Sequence, residues 1–123
     1  MNRTVFFLSD GTGITAETFG GAIMAQFEIT PRRVRLPYID NVDKAHKIVR
    51  QINHTAEIEG QRPIVFSTLV NMEVLSVIKA NCHGMLLDMF ATFVEPLEKE
   101  LKLTSNHRVG RFSNVTKSQE YHD

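Results

Sequence analysis

Apolar residues recur along this chain with two alternating periods. TVFFL at 4–8 is a short β-branched and aromatic run closed by a turn signal, and it predicts a buried strand. From Ile14 the spacing changes. Ile14, Phe19, Ile23 and Phe27, with Ala16 and Ala22 beside them, recur at helical intervals until Thr30 and Pro31 break the pattern. Gly20 and Gly21 fall inside this predicted helix, where each costs on the order of 1 kcal/mol against alanine. Close packing of the helix on a sheet would explain them.

The alternation then repeats. RRVRLPYI at 32–39 predicts a second strand, with Pro37 arguing either against a central position or for the strand's end. Asn41 is a suitable N-cap for a helix striped by Ala45, Ile48, Val49, Ile52 and Ala56 and stopped by Gly60. PIVFSTL at 63–69 predicts a third strand. Asn71 caps a third helix with Val74, Leu75 and Ile78 on its inner side, closed by His83 and Gly84. A fourth strand is expected at 85–89. Thr92 and Glu95 have capping-box spacing ahead of an amphipathic helix carrying Phe93, Val94, Leu97 and Leu101, with Pro96 early in it. The order βαβαβαβα predicts a three-layer α/β domain: a mostly parallel four-stranded sheet with helices on both faces, Rossmann-like or flavodoxin-like. Residues 1–103 form this domain. After Leu103 periodicity stops, and 104–123 read as a polar linker or tail leading onward; no repeat or low-complexity segment occurs.

Composition changes this picture little. At 123 residues, 42% hydrophobic and 23% charged, the chain has one domain's worth of core. Lys and Arg total 14 and Asp and Glu total 14, which excludes a generalised nucleic-acid or membrane-surface binder. The amino terminus has no signal-peptide pattern, and no apolar run approaches the ~20 residues of a membrane span. A single cysteine, Cys82, fits a reducing, cytoplasmic setting and reads as core filler rather than as a nucleophile paired with His83. His46 and His54 lie two turns apart on one helix, too far for shared metal ligation, and read as solvated. His107, Arg108 and Arg111 form a small basic cluster in the tail.

In open parallel sheets, ligands bind beyond the carboxyl ends of the strands. Ser9, Asp10, Gly11, Thr12 and Gly13 follow the first strand; Asp40 and Asn41 follow the second; Ser67 and Thr68 end the third; Asp88 lies late in the fourth. Gly11 and Gly13 permit positive φ and close approach of a ligand to the backbone. The helix beginning near Ile14 aims free N–H groups at an anion, and Thr12 and Thr15 add hydroxyls. Ser9, Gly11, Thr12, Gly13 and Thr15 are therefore phosphate- or nucleotide-binding candidates, with Asp40, Ser67, Thr68 and Asp88 in support. Asp10 would repel a bare phosphate. It suits holding Mg²⁺, accepting a substrate hydroxyl or acting as a base, which makes it the one catalytic candidate; the plain alternative is a turn cap. On this reading, Gly13→Val abolishes anion binding and leaves folding largely intact. GxxxxGK[ST] is absent. GTGITA matches G-x-G-x-x-A of dinucleotide folds, but Asp40 sits late for the ribose-binding acid.

VFFLSDGTGITAE at 5–17 resembles the opening of the bacterial phosphoenolpyruvate synthase regulatory proteins, bifunctional kinase–pyrophosphorylases, and of the similar plant regulators of pyruvate, phosphate dikinase. LPYID at 36–40, RPIVFSTL at 62–69, FVEPLEKEL at 93–101 and NHRVGRF at 106–112 extend the resemblance over essentially the whole chain. The resemblance implies a cytoplasmic serine/threonine kinase that uses ADP to phosphorylate a threonine of phosphoenolpyruvate synthase. It also implies removal of that phosphate by inorganic phosphate, with release of pyrophosphate. The family's P-loop lies in its C-terminal half, which matches nothing here, so the resemblance implies an N-terminal domain inactive alone. Three readings follow: a phosphate- or target-binding part of an enzyme, a docking or homodimerisation module, and a stand-alone nucleotide-binding α/β protein. The first two predict exposed apolar surface; the third predicts a closed domain.

Overall fold

A computed structural model describes residues 3–106. Its elements run β1 (Thr4–Leu8), α1 (Ile14–Met24), β2 (Arg32–Leu36), α2 (Val42–Glu59), β3 (Ile64–Ser67), α3 (Met72–Asn81), β4 (Met85–Asp88), a single π-helical turn (Phe90–Val94) and α4 (Glu95–Leu101). The four strands form one all-parallel sheet in the order β2-β1-β3-β4. This is the α/β architecture expected from the alternating pattern.

Strand β1 sits in the interior of the sheet, and its side chains alternate between two cores. Phe6 and Leu8 join Val65 against Ala45, Val49 and Ile52 of α2 and Val74, Leu75 and Ile78 of α3. Val5 and Phe7 face the other way and join Phe66 and Ala16 beneath α1. Phe7 and Phe66 stack at 5.9 Å. Gly20 permits this contact: a Cβ there would lie 2.7 Å from the Phe7 ring and 2.8 Å from the Phe66 ring. Gly21 faces the guanidinium of Arg33, which lies over the Phe7 ring. The expectation of close helix–sheet packing holds, sharply at Gly20.

Caps were legible. Asn41 accepts the Lys44 N–H at 2.8 Å, Asn71 accepts the Glu73 and Val74 N–H groups, and Gly60 closes α2 in the left-handed region. Strand β2 is an edge strand that ends before Pro37, so both arguments about that proline apply. Cys82 is half-buried against the larger core, and burial pushes its thiol up from the ordinary value, as suits a filler. His46 and His54 are exposed.

Two expectations change. Helix α1 ends at Met24, leaving Phe27 in the following turn and 59% exposed. Thr92 is not a cap: it lies inside the π-helical turn, where the Glu95 N–H reaches the Phe90 carbonyl, and helical backbone runs unbroken into α4. The apolar residues of α4 line no core, since none of its residues is buried. On the α1 face, a groove of about 490 Å³ runs over β3 and β4, lined by Ile23, Met24, Phe27, Ile29, Phe66 and Leu87 among others. No helix of the described residues is long and apolar enough to cross a membrane. His107, Arg108, Arg111 and most of the expected tail lie outside the described residues.

Candidate functional site

The strand register sets Leu36, Leu8, Ser67 and Asp88 in one row across the sheet, so the loops that follow emerge at a common edge. Strand β1 leads leftward to β2 and β3 leads rightward to β4. The loops after β1 and β3 therefore part at a topological switch point.

The loop after β1 is stitched on both sides. Toward β2, the Ser9 N–H donates to the Leu36 carbonyl, and the Ile39 and Tyr38 N–H groups donate to the Ser9 and Gly11 carbonyls at 2.9 and 2.8 Å. Tyr38 takes a left-handed backbone there, φ 58°. Toward β3, the Thr68 N–H donates to the Leu8 carbonyl at 3.0 Å, and the Thr68 hydroxyl reaches the same oxygen at 3.4 Å. Asp10 Oδ2 accepts the Val70 and Asn71 N–H groups at 2.9 and 3.1 Å. Its carboxylate thus crosses the switch point and holds the loop that starts α3, instead of capping its own turn.

This geometry sorts the candidate residues. Ser9, Gly13, Ser67 and Thr68 are buried, and their groups shape the loops. Ser9 Oγ accepts the Gly11 N–H at 2.9 Å, and Ser67 Oγ accepts the Leu69 N–H at 3.2 Å. Gly13 sits at φ 85° at the start of α1, where a Cβ would lie 2.9 Å from Arg35 Cγ. Glycine is a backbone requirement here, so Gly13→Val perturbs the fold, contrary to expectation. Gly11, Thr12 and Thr15 face solvent. Thr12 Oγ1 accepts the Ile14 N–H at 3.3 Å, and the N-cap residue, Gly13, has no side chain to cap α1.

The remaining carboxylates have local partners. Asp40 is exposed and pairs with Lys44 at 3.0 Å; the Lys44 ammonium holds its pKa below the usual value. Asp88 Oδ1 accepts the Phe90 N–H at 3.1 Å and begins the π-helical turn. Among the described residues, no three of His, Cys, Asp and Glu gather in a group that could hold a metal ion.

One residue escaped the motif reading. Arg35 lays its side-chain stem beside Gly13, and its guanidinium sits 3.6 Å from Glu17 in the first turn of α1. The signal was present in RRVRL: period two places Arg33 and Arg35 on one face of β2. The outer surface of this loop thus combines exposed Thr12 and Thr15, an uncapped helix start and a half-exposed guanidinium.

Fold and loops together define a doubly wound α/β domain whose polar groups gather at one switch point. The chain belongs to the kinase/pyrophosphorylase family, whose model matches residues 5–123. A protein from Polaromonas sp. (strain JS666), provisionally named as a phosphoenolpyruvate synthase regulatory protein, is 74% identical over 121 residues. Proteins of the same provisional name from Polaromonas naphthalenivorans and Variovorax paradoxus are 72% and 74% identical over 120 and 119 residues. These alignments cover 97 to 98% of this chain but 44% of each relative, so the chain spans less than half the length of the relatives it matches.

Proposed function

We propose that this chain forms the N-terminal α/β domain of a regulatory phosphotransferase and that it presents a phosphate-bearing ligand or target at its switch-point edge. The parent activity, by likeness to its family, is ADP-dependent phosphorylation of a threonine on phosphoenolpyruvate synthase. The reverse branch uses inorganic phosphate and releases pyrophosphate. Catalysis of this kind rests on positioning and on neutralising charge around phosphoryl oxygens. GxxxxGK[ST] is absent from this chain, so it supplies contacts rather than the whole reaction. A cytoplasmic setting is part of the same reading, supported by the likeness to proteins named as regulators of phosphoenolpyruvate synthase.

The observation that carries the reading is the loop from Ser9 to Gly13. Stitched to both neighbouring loops, it delivers an uncapped helix start at the switch point with Thr12 and Thr15 exposed. Backbone N–H groups at such a start favour anions, and Arg35 adds a positive charge beside it. Asp10 serves as the tie that fixes the loop, and Gly11, Thr12 and Thr15 face the ligand. Asp40, Ser67, Thr68 and Asp88 hold the edge in shape.

An amide NMR titration of the chain with phosphate, pyrophosphate and ADP tests this. Saturable shifts centred on residues 11–15 are expected, weakened by Arg35→Ala. Flat spectra at millimolar ligand would remove the anion site and leave docking to the target enzyme as the domain's role.

A further inference from the structure

The two faces of the sheet are unequally covered. Helices α2 and α3 close one face completely over β1 and β3. On the other face, α1 covers Val5, Phe7 and Phe66, but Ile64 and Leu87 are only partly buried and Met85 is exposed. Between the end of α1 and β4 lies the apolar groove of about 490 Å³. It adjoins a second apolar hollow lined by Phe19, Leu87, Met89 and Phe93, where Phe19 and Phe93 meet edge to face at 5.4 Å. Phe93, Leu97 and Leu101 are themselves exposed. Among the described residues, no strand pairs with the outer edge of β4.

All-parallel sheets are stable when both faces are covered, because their strands are apolar on each side. Phe27, Ile29 and Met85 at the groove are exposed, and helices are what cover the faces of such sheets. More than half the length of each matching relative lies outside the alignment, while the aligned part fills this chain almost completely. We propose that the groove over β3 and β4 seats an amphipathic helix from the part of the full-length family protein that this chain does not contain. The α1 face is one helix short, and that helix is supplied by the rest of the regulator. This rests on the reading that the chain is one part of a longer regulator, and it is independent of any ligand.

Hydrogen exchange tests it. The 123-residue chain is compared with the same chain extended by the unmatched portion of the Polaromonas relative. Amides at residues 23–29 and 85–88 exchange at least tenfold more slowly in the extended protein, and those of α2 are unchanged. Phe27→Glu, on the lip of the groove, reverses the protection; Ile58→Glu, exposed on α2, does not. Equal exchange in the two proteins overturns the proposal. So does a dimer of the 123-residue chain that Phe27→Glu dissociates, because the groove then belongs to a second copy. Neither result touches the anion titration, and a flat titration leaves this experiment standing.

Discussion

The Asp10 carboxylate accepts the Val70 backbone N–H at 2.9 Å, joining two loops that are sixty residues apart in the chain. The same oxygen takes the Asn71 N–H, just where Asn71 caps α3. One side chain therefore fixes the spacing between the loop after β1 and the helix after β3. Asp10→Ala leaves two amides without that acceptor. A charged hydrogen bond of this kind contributes about 1.5–3 kcal/mol. Urea unfolding of Asp10→Ala should show a loss in that range, with Asp10→Asn in between. A loss within error of zero for Asp10→Ala would free Asp10 for a ligand role.

Gly13 and Gly60 both have positive φ but differ in their surroundings. A Cβ at Gly13 meets the Arg35 stem; at Gly60 it meets open space. Left-handed backbone costs a residue with a Cβ roughly 1–2 kcal/mol. Gly60→Ala should lose about that much, and Gly13→Ala more. Arg35→Ala in the Gly13→Ala background should recover the difference. Equal losses at the two glycines would show that the Arg35 contact contributes nothing.

Neighbouring helix glycines should respond with opposite signs. Gly20→Ala drives a methyl into the Phe7 and Phe66 rings, and overpacking of this kind costs about 1–3 kcal/mol. Helix propensity returns roughly 1 kcal/mol, leaving a net loss. Gly21→Ala meets only the mobile end of Arg33 and should gain a few tenths of a kcal/mol. Thermal melts of the two variants decide it.

Asp40 provides a titration test. Its folded pKa is lowered, first by the Lys44 hydrogen bond. The associated stabilisation is therefore present above its unfolded pKa and fades as pH falls through the folded one. NMR titration should find the pKa of the Asp40 carboxyl rising toward its ordinary value in Lys44→Met. No change would mean that the ion pair does not persist in solution.

Local signals made most of the fold legible. Asn41, Gly60 and Asn71 punctuate the helices through bonds to backbone only a few residues away, so short windows contain the information. The β-branched and aromatic run TVFFL likewise announced a buried strand. What was hidden depends on distance. The Asp10 tie and the Arg35 contact with Gly13 exist only once separate strands align, and no spacing rule reports them. Thr92 and Glu95 matched a capping box, but helical backbone begins earlier, after the Asp88 side chain takes the Phe90 N–H. The stripe of α4 was legible as amphipathic, but amphipathicity reveals an apolar side without naming what covers it.

The strand order also bears on how the protein is made. TVFFL leaves the ribosome before the other three strands, yet it ends in the sheet interior, with Val5 beside Ile64 and Phe6 beside Val65. Strand β2 can reach one side early, but the other side stays open until β3 emerges. At about 5–20 residues per second, that wait lasts roughly 3–12 s. During it, β1, with four apolar residues out of five, has no partner on one edge. Substitutions that delay the pairing of β3 with β1 should therefore appear as lost yield before they appear as lost stability.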